Sequence, residues 1–333
     1  MSSTGEVRPN ILRLDNTKRS CASTCLRKYY WQYERHLKPI NGSTALRYGV
    51  IWHAAMDAFY TYIAENGWKR DGKALEIAII TAKREWDEYT NGQTFYDDYR
   101  TLSNLIQSLL SYMDKFNSDE GMLNIIESEH LFEIPMYQDD PIFHNALDTD
   151  PYFIFTGMID LEVELNGRPW IIDHKTTGKG IPQMSSQLRR AAQFIGYTYA
   201  ASKELSVRPD GFLVVIHHLS AYKSKVNQTY GKPKVDFDRI PELYTQYDIN
   251  QWKLSIFKAA SDIYSCKESG IWPMNFDNCY QFGRCTFSSL CEQQRPIEDV
   301  LIHDFLEGTP WDVVAETKVR QQRREDMLKG LTQ

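Results

Sequence analysis

Asp160, Asp173 and Lys175 are the residues of this chain whose types and spacing most directly suggest chemistry. They flank Asn166-Gly167, which sits between two extended apolar-rich runs and is the strongest short-range signal for a two-residue hairpin of type I′. Such a turn sets Leu165 opposite Arg168, and counting outward then sets Asp160 opposite Asp173. Opposed residues have Cβ atoms roughly 4.5–5.5 Å apart, and like charges there repel. Alternation puts Lys175 on the face of Asp173 and leaves Leu161, Val163 and Leu165 for the other, core-forming face. Two carboxylates and an ammonium converging on one surface suit Mg²⁺ or Mn²⁺, which take hard oxygen ligands. A metal there can acidify a water and neutralise charge on a phosphodiester, while the lysine stabilises developing charge. The alternative is a surface hairpin with solvated acids, and an isolated Asp-x-Lys does not separate the two.

The elements that must position these residues follow from periodicity. Apolar residues recur at helical spacing through Ile51, Ala54, Ala55, Ala58 and Phe59, and again through Leu102, Leu105, Ile106, Leu109 and Leu110. Asn66-Gly67 and Asn91-Gly92 mark breaks between helices. Strands are expected at Ile125–Met136, Phe153–Leu165, Pro169–Thr176 and Phe212–Ile216. Helices are expected around Gln193 and Tyr197, and from Trp252 to Ser265. This order predicts an α/β (α+β) core sheet flanked by helices. The expected divisions are an N-terminal segment over 1–47, a helical lobe over 48–120, a core over 121–270, a cysteine region over 271–298 and a charged helical tail over 299–333.

The 333 residues carry a net charge of −6, so no global basic field announces a nucleic-acid partner. Local basic pairs such as Arg189-Arg190 read equally well as solvated faces. The polar start and the absence of a long apolar run predict an intracellular protein with no membrane partner. Six cysteines in such a chain are not read as disulfides. Cys21 and Cys25 lie near the front and Cys266, Cys279, Cys285 and Cys291 near the back, a distribution that suggests the two ends meeting around something.

The ordered set of motifs resembles the PD-(D/E)xK nuclease superfamily, in its RecB-like and CRISPR-associated-exonuclease-like branch. The residues that carry the resemblance are Gly49-x-x-x-His53, Asp160, Asp173-His174-Lys175 and Gln193-x-x-x-Tyr197, over roughly Cys25 to Cys291. The resemblance implies a restriction-endonuclease-like core. It implies metal ligation by His53, Asp160 and Asp173, with the backbone carbonyl of His174 as a further candidate. Lys175 would be the catalytic lysine, and Gln193 and Tyr197, one helical turn apart, would contact DNA or steady that lysine. Glu129, in a strand ahead of the hairpin, would be a further acid, although Glu127 shares its strand parity. Taken alone, His53 also reads as a core histidine beside Trp52, and Gln193 and Tyr197 as a helix surface.

Among these relatives, AddB-type iron–sulfur nucleases take a fourth cluster ligand from an N-terminal helix in a context like Cys25-Leu-Arg-Lys-Tyr-Tyr. That similarity implies a 4Fe–4S cluster on Cys25, Cys279, Cys285 and Cys291, with Cys21 in reserve. Zn²⁺ also suits four thiolates, and unrelated buried thiols are the third reading.

The resulting expectation is a divalent-metal-dependent DNA nuclease, an exonuclease, hydrolysing phosphodiester bonds in recombination, repair or replication. Its substrate would be DNA that is single-stranded or has free ends, with a recombination or helicase partner. The size fits a phage-encoded enzyme acting in the host cytoplasm. No G-x-x-x-x-G-K-[ST] loop is present to supply an ATP motor. The rivals are a CRISPR-adaptation nuclease, a non-catalytic DNA-binding or assembly protein on the same fold, and RNA as the substrate.

Overall fold

The computed structural model describes residues 11–40, 43–69, 71–91, 98–137, 152–204, 209, 211–281 and 283–332, with side chains of the final helix through residue 326. The predicted polar lead and Gly92 of the second helix break lie outside the described residues. In chain order the elements begin with β1 (Arg13–Leu14), α1 (Asn16–Thr24), α2 (Leu26–Tyr29), a π-helical turn and β2 (Leu37–Pro39). Then come α3 (Thr44–Asn66), α4 (Lys73–Thr90), α5 (Leu102–Lys115), α6 (Asp119–Met122), β3 (Leu123–Met136), β4 (Phe153–Leu165) and β5 (Arg168–Thr177). After these follow α7 (Ile181–Leu188), α8 (Ala192–Glu204), β6 (Gly211–Ser220), β7 (Lys234–Glu242) and α9 (Gln246–Ser269). A short 3₁₀ turn, α10 (Ser288–Glu292), α11 (Ile297–Asp304), β8 (Phe305–Glu307) and α12 (Val313–Thr332) complete the chain. The fold class is the expected mixed α/β.

The chain divides into two compact units. One comprises residues 1–41, 131–157 and 246–333, and the other 42–130 and 158–245, so β3 and β4 contribute to both.

The second unit carries the predicted hairpin. There β4 runs antiparallel to β5, β5 parallel to β6, and β6 antiparallel to β7. One face of these strands, through Leu161, Val163, Ile172, Leu213 and Val215, packs on Ile51, Trp52, Ala55 and Phe59 of α3 and on Leu105 and Leu109 of α5. Leu161 and Val163 are fully buried, as their alternation predicted. Each such side chain contributes about 1.5–3 kcal/mol by leaving water. On the opposite face Phe194 of α8 packs against Phe212, with ring centroids 4.6 Å apart. Helices α3 and α5 start where side chains satisfy orphan backbone donors: Ser43 Oγ accepts from Leu46 N–H and Thr101 Oγ1 from Asn104 N–H.

Strand β7 was not anticipated from the sequence. Its pattern is weak because only Phe237 is buried, and Pro241 is tolerated because β7 ends the strand order and needs no further ladder on its outer side. Strand β6 runs past the predicted Ile216 to Ser220, carrying the fully buried His217 with it.

The first unit gathers both chain ends. Leu37, Lys38 and Pro39 of β2 pair antiparallel with Glu307, Leu306 and Phe305 of β8. A small core of Trp31, Leu37, Phe287, Leu290, Val300 and Phe305 lies beside that pair, with Cys285 and Cys291 at its margin.

Candidate functional site

The hairpin closes as its turn residues require. Asn166 and Gly167 both take positive φ, 54° and 76°, as a type I′ turn demands. The register runs from Leu165 opposite Arg168 to Leu161 opposite Ile172 and stops one step short of Asp160 and Asp173. Pairing with β6 fixes the other side of β5, with Asp173 beside Val214 and Lys175 beside Ile216.

Lys175 Nζ lies 2.6 Å from Asp173 Oδ2 and 5.6 Å from the centre of the Phe194 ring, confirming the shared face of the acid and the lysine. Gln193 Nε2 donates to Asp173 Oδ1 at 3.3 Å. Asp173 is 1 % exposed, and burial pushes its carboxyl up to about 6. Lys175 opposes that rise and the charge of Asp160 adds to it.

Asp160 is held differently. Its Oδ2 accepts the backbone N–H of His174 at 2.9 Å and lies 3.0 Å from His53 Nδ1. Burial alone would raise its carboxyl, but the neighbouring His53 imidazole, with Lys175, outweighs that and holds it well below the usual carboxylate range. The same pairing holds His53 above its ordinary value against the pull of burial. The two aspartates are thus pushed apart, one firmly ionised and one near neutral-range titration.

The Gly-x-x-x-His element has a packing reason. A Cβ on Gly49 would stand 3.0 Å from Thr176 Oγ1, so glycine lets α3 approach β5 beside Lys175. One turn further on α3 is His53, and one turn beyond that is Asp57. Asp57 was not singled out from the sequence, although its spacing from His53 was the available signal. Its Oδ1 accepts from Ser128 Oγ at 2.8 Å and Thr61 Oγ1 at 3.2 Å.

Glu129 takes a positive φ of 52° within β3, which breaks the strand alternation and turns Ser128 and Glu129 both inward. Strand parity therefore did not decide between the two glutamates. Glu129 lines a small recess with His53, Asp57, Ser128, Asp160 and His174, whereas Glu127 does not. The His174 ring reaches the same recess, with Tyr112 Oη 3.4 Å from its Nε2 and Tyr60 Oη 2.8 Å from Tyr112 Oη. Burial lowers that imidazole to about 3, so it is neutral at ordinary pH. Asp173 and Lys175 do not line the recess itself. Tyr197 is buried in α8 rather than displayed on a helix surface.

Among the described residues, three His, Cys or carboxylate ligand atoms come within 4.8 Å of one another at Glu127, His130 and Glu162, not at the predicted ligands.

The cysteines of the first unit are brought together from distant parts of the chain. Asn275 N–H donates to Cys25 Sγ at 3.4 Å, and the side-chain amides of Asn275 and Asn278 both donate to Thr24 O. Arg27 donates its N–H to Pro273 O and its Nε to Trp272 O. Burial raises the thiols of Cys279 and Cys291, and the nearby Cys25 and Cys285 raise both further. Cys21 is buried and its thiol is pushed up to about 12, chiefly by desolvation. Cys266 is a buried thiol on α9, as expected.

Comparison with known proteins gives one family match. The model of the PD-(D/E)XK nuclease superfamily matches residues 16–292. No curated protein matches. Two solved structures are similar at low identity. A Eubacterium rectale protein provisionally named an exonuclease is 9 % identical, with 87 % of this chain and 92 % of that one covered and a TM-score of 0.42. The protein SSO0001 is 13 % identical, with 74 % and 86 % covered and a TM-score of 0.30. The family match spans most of the chain. The chain belongs to the PD-(D/E)XK nuclease superfamily.

Proposed function

We propose that this protein is a divalent-metal-dependent DNA nuclease acting from free ends, with Glu129, His53, Asp160 and Asp173 as the metal-holding set and Lys175 as the catalytic lysine. The observation that carries the proposal is the hairpin: its ladder ends one step from Asp160 and the buried Asp173, and Lys175 lies 2.6 Å from Asp173. The donor set fits Mg²⁺ or Mn²⁺, since it is made of carboxylate oxygens with one imidazole. Glu129, Asp160 and Asp173 are three largely buried acids with one lysine and the His53 imidazole close by, and a cation would offset the negative charge that remains. When bound, such a cation supplies Lewis acidity and an acidified water.

The chain's own residues do the rest. Gln193 holds Asp173 by Oδ1 and leaves Oδ2 to Lys175. The ammonium of Lys175 is partly exposed and can donate to charge developing on a phosphodiester oxygen. The backbone N–H of His174 and the ring of His53 fix the rotamer of Asp160. Tyr60 and Tyr112 steady the His174 ring behind it. Exonuclease action on DNA, and a recombination or replication role alongside a helicase-type partner, rest on the motif resemblance to RecB-like enzymes.

The same reading assigns Cys25, Cys279, Cys285 and Cys291 to a 4Fe–4S cluster that staples the chain ends. Its support is the tying of Thr24 and Cys25 to the 272–278 loop beside the other three thiols.

The test is cleavage of end-labelled single- and double-stranded DNA with Mg²⁺ or Mn²⁺, comparing wild type with Lys175→Ala. Metal-dependent cleavage that falls at least about a hundredfold in the variant supports the reading. Equal activity in both, or none in either, removes it.

A further inference from the structure

A second cluster of ligand-type side chains lies apart from the recess of Asp160 and Glu129. The bulge at Glu129 divides four consecutive residues of β3 between the two places: Ser128 and Glu129 go to the recess, Glu127 and His130 to the second cluster. His130 Nδ1 is 2.7 Å from Glu127 Oε2 and 3.9 Å from Glu162 Oε2 of β4. Its other nitrogen, Nε2, is hydrogen-bonded to Glu204 at the end of α8. The ring is thus bonded to a carboxylate at each nitrogen; a cation would replace the proton on Nδ1, and the carboxylate on Nε2 would then fix the tautomer of the ligating histidine.

Glu162 gives an independent sign. It is 1 % exposed, it points into the cluster, and neither of its oxygens has a hydrogen-bond partner among the described residues. The approach of His130 at 3.9 Å is too long for a hydrogen bond. A carboxylate buried in this way is costly unless a cation compensates it.

We propose that Glu127, His130 Nδ1 and Glu162 form a second cation site, for Zn²⁺ or a similar first-row divalent ion, with Glu204 orienting the imidazole. Metal–ligand bonds of about 2.0–2.1 Å put tetrahedral ligands about 3.4 Å apart. The separations of 2.7 and 3.9 Å lie on either side of that value, and all three ligand atoms lie within 4.8 Å of one another. With two carboxylates to one imidazole, this set is less oxygen-rich than the three acids and one imidazole assigned to the hairpin site, which moves the preference toward Zn²⁺ and its first-row neighbours. Water would complete the coordination. The site ties β3, β4 and α8 at one point, and Glu162 is one same-face step along β4 from Asp160. The α8 end opposite Glu204 carries Gln193, the donor to Asp173. The cation would therefore brace two elements that position the candidate active site, and the proposal stands independently of the nuclease reading.

The test is calorimetric titration of Zn²⁺ into the protein as purified, with any cysteine-bound metal left in place. One equivalent that depends on this cluster is expected, present in wild type and absent at that affinity in His130→Ala and in the isosteric Glu162→Gln, whatever Zn²⁺ the hairpin acids also take up. Glu204→Gln should bind at least about tenfold more weakly. Asp173→Asn should bind the same equivalent unchanged, which separates this site from the hairpin acids. Repeating the titration with Co²⁺ should give a spectrum free of thiolate charge-transfer bands. Equal stoichiometry and affinity in wild type, His130→Ala and Glu162→Gln would overturn the proposal, as would loss of the equivalent in Asp173→Asn.

Discussion

Replacing Lys175 by methionine tests how the pair it forms with the buried Asp173 is built. In wild type, burial pushes the Asp173 carboxyl up to about 6 even with the ammonium at 2.6 Å. A hydrogen bond to a charged group is worth about 1.5–3 kcal/mol, and 1.36 kcal/mol corresponds to about one pKa unit. Methionine keeps the bulk of the side chain and removes that bond, leaving burial and the charge of Asp160 both acting upward. The carboxyl should therefore rise by roughly one to two units, to about 7–8. A metal ligand must be deprotonated to bind, so Mn²⁺ affinity is gated by this proton. At pH 7 the variant should bind Mn²⁺ about two- to tenfold more weakly on protonation grounds alone, and the deficit should vanish by about pH 9. At the alkaline end, loss of the repelling ammonium should make binding equal or tighter, so the two affinity–pH curves cross. Titration calorimetry with Mn²⁺ between about pH 5.5 and 9 reads this directly. A midpoint that stays in place or moves to lower pH would refute the reasoning, because it would mean that the ammonium does not hold Asp173 ionised.

Two further predictions concern parts of the molecule away from that pair. The His217 ring is enclosed by Trp52 at 4.1 Å and Phe237 at 4.8 Å, neither ring nitrogen has a hydrogen-bond partner among the described residues, and burial lowers it to about 3. Its folded value lies below the unfolded one of about 6.5, so its share of stability is complete above that pH and is lost as pH falls toward 3, up to about 5 kcal/mol. His217→Phe should flatten the fall of Tm between about pH 6.5 and 4, and parallel curves for the two proteins would contradict this. In the first unit, Cys25→Ser should strip iron and sulfide from protein purified without air, whereas Cys266→Ser should keep both. Zinc in place of iron in the wild type would replace the cluster assignment.

Much of the candidate site was legible because it rests on local rules. The Asn166-Gly167 turn fixes its own φ signs, and a two-residue loop fixes register, so counting gave the pairs from Leu165 and Arg168 out to Leu161 and Ile172, next to Asp160 and Asp173. Gly49 and His53 were legible only through the motif resemblance; helical spacing from His53 leads on to Asp57, whose partners Ser128 and Thr61 are not evident from pattern. What alternation could not give was the bulge at Glu129. A single residue with positive φ sends Glu127 and Glu129 to different sites, and nothing in the sequence around it announces the break. Strand β7 escaped for a related reason: as an edge it buries little, so its sequence has no strong apolar period. The role of Gln193 was visible only as a motif position. That it holds Asp173 rather than the lysine depends on how α8 packs through Phe194 onto Phe212, a tertiary fact.

The central claim is that the opposed acids serve cleavage and not merely DNA binding. Its most direct test is Asp173→Asn, which keeps the shape of the side chain, assayed in parallel for cleavage of end-labelled DNA with Mn²⁺ and for binding of the same DNA. The account predicts cleavage reduced by at least about a hundredfold with binding changed little. Cleavage that persists at the wild-type rate, or binding that disappears together with it, would contradict the account.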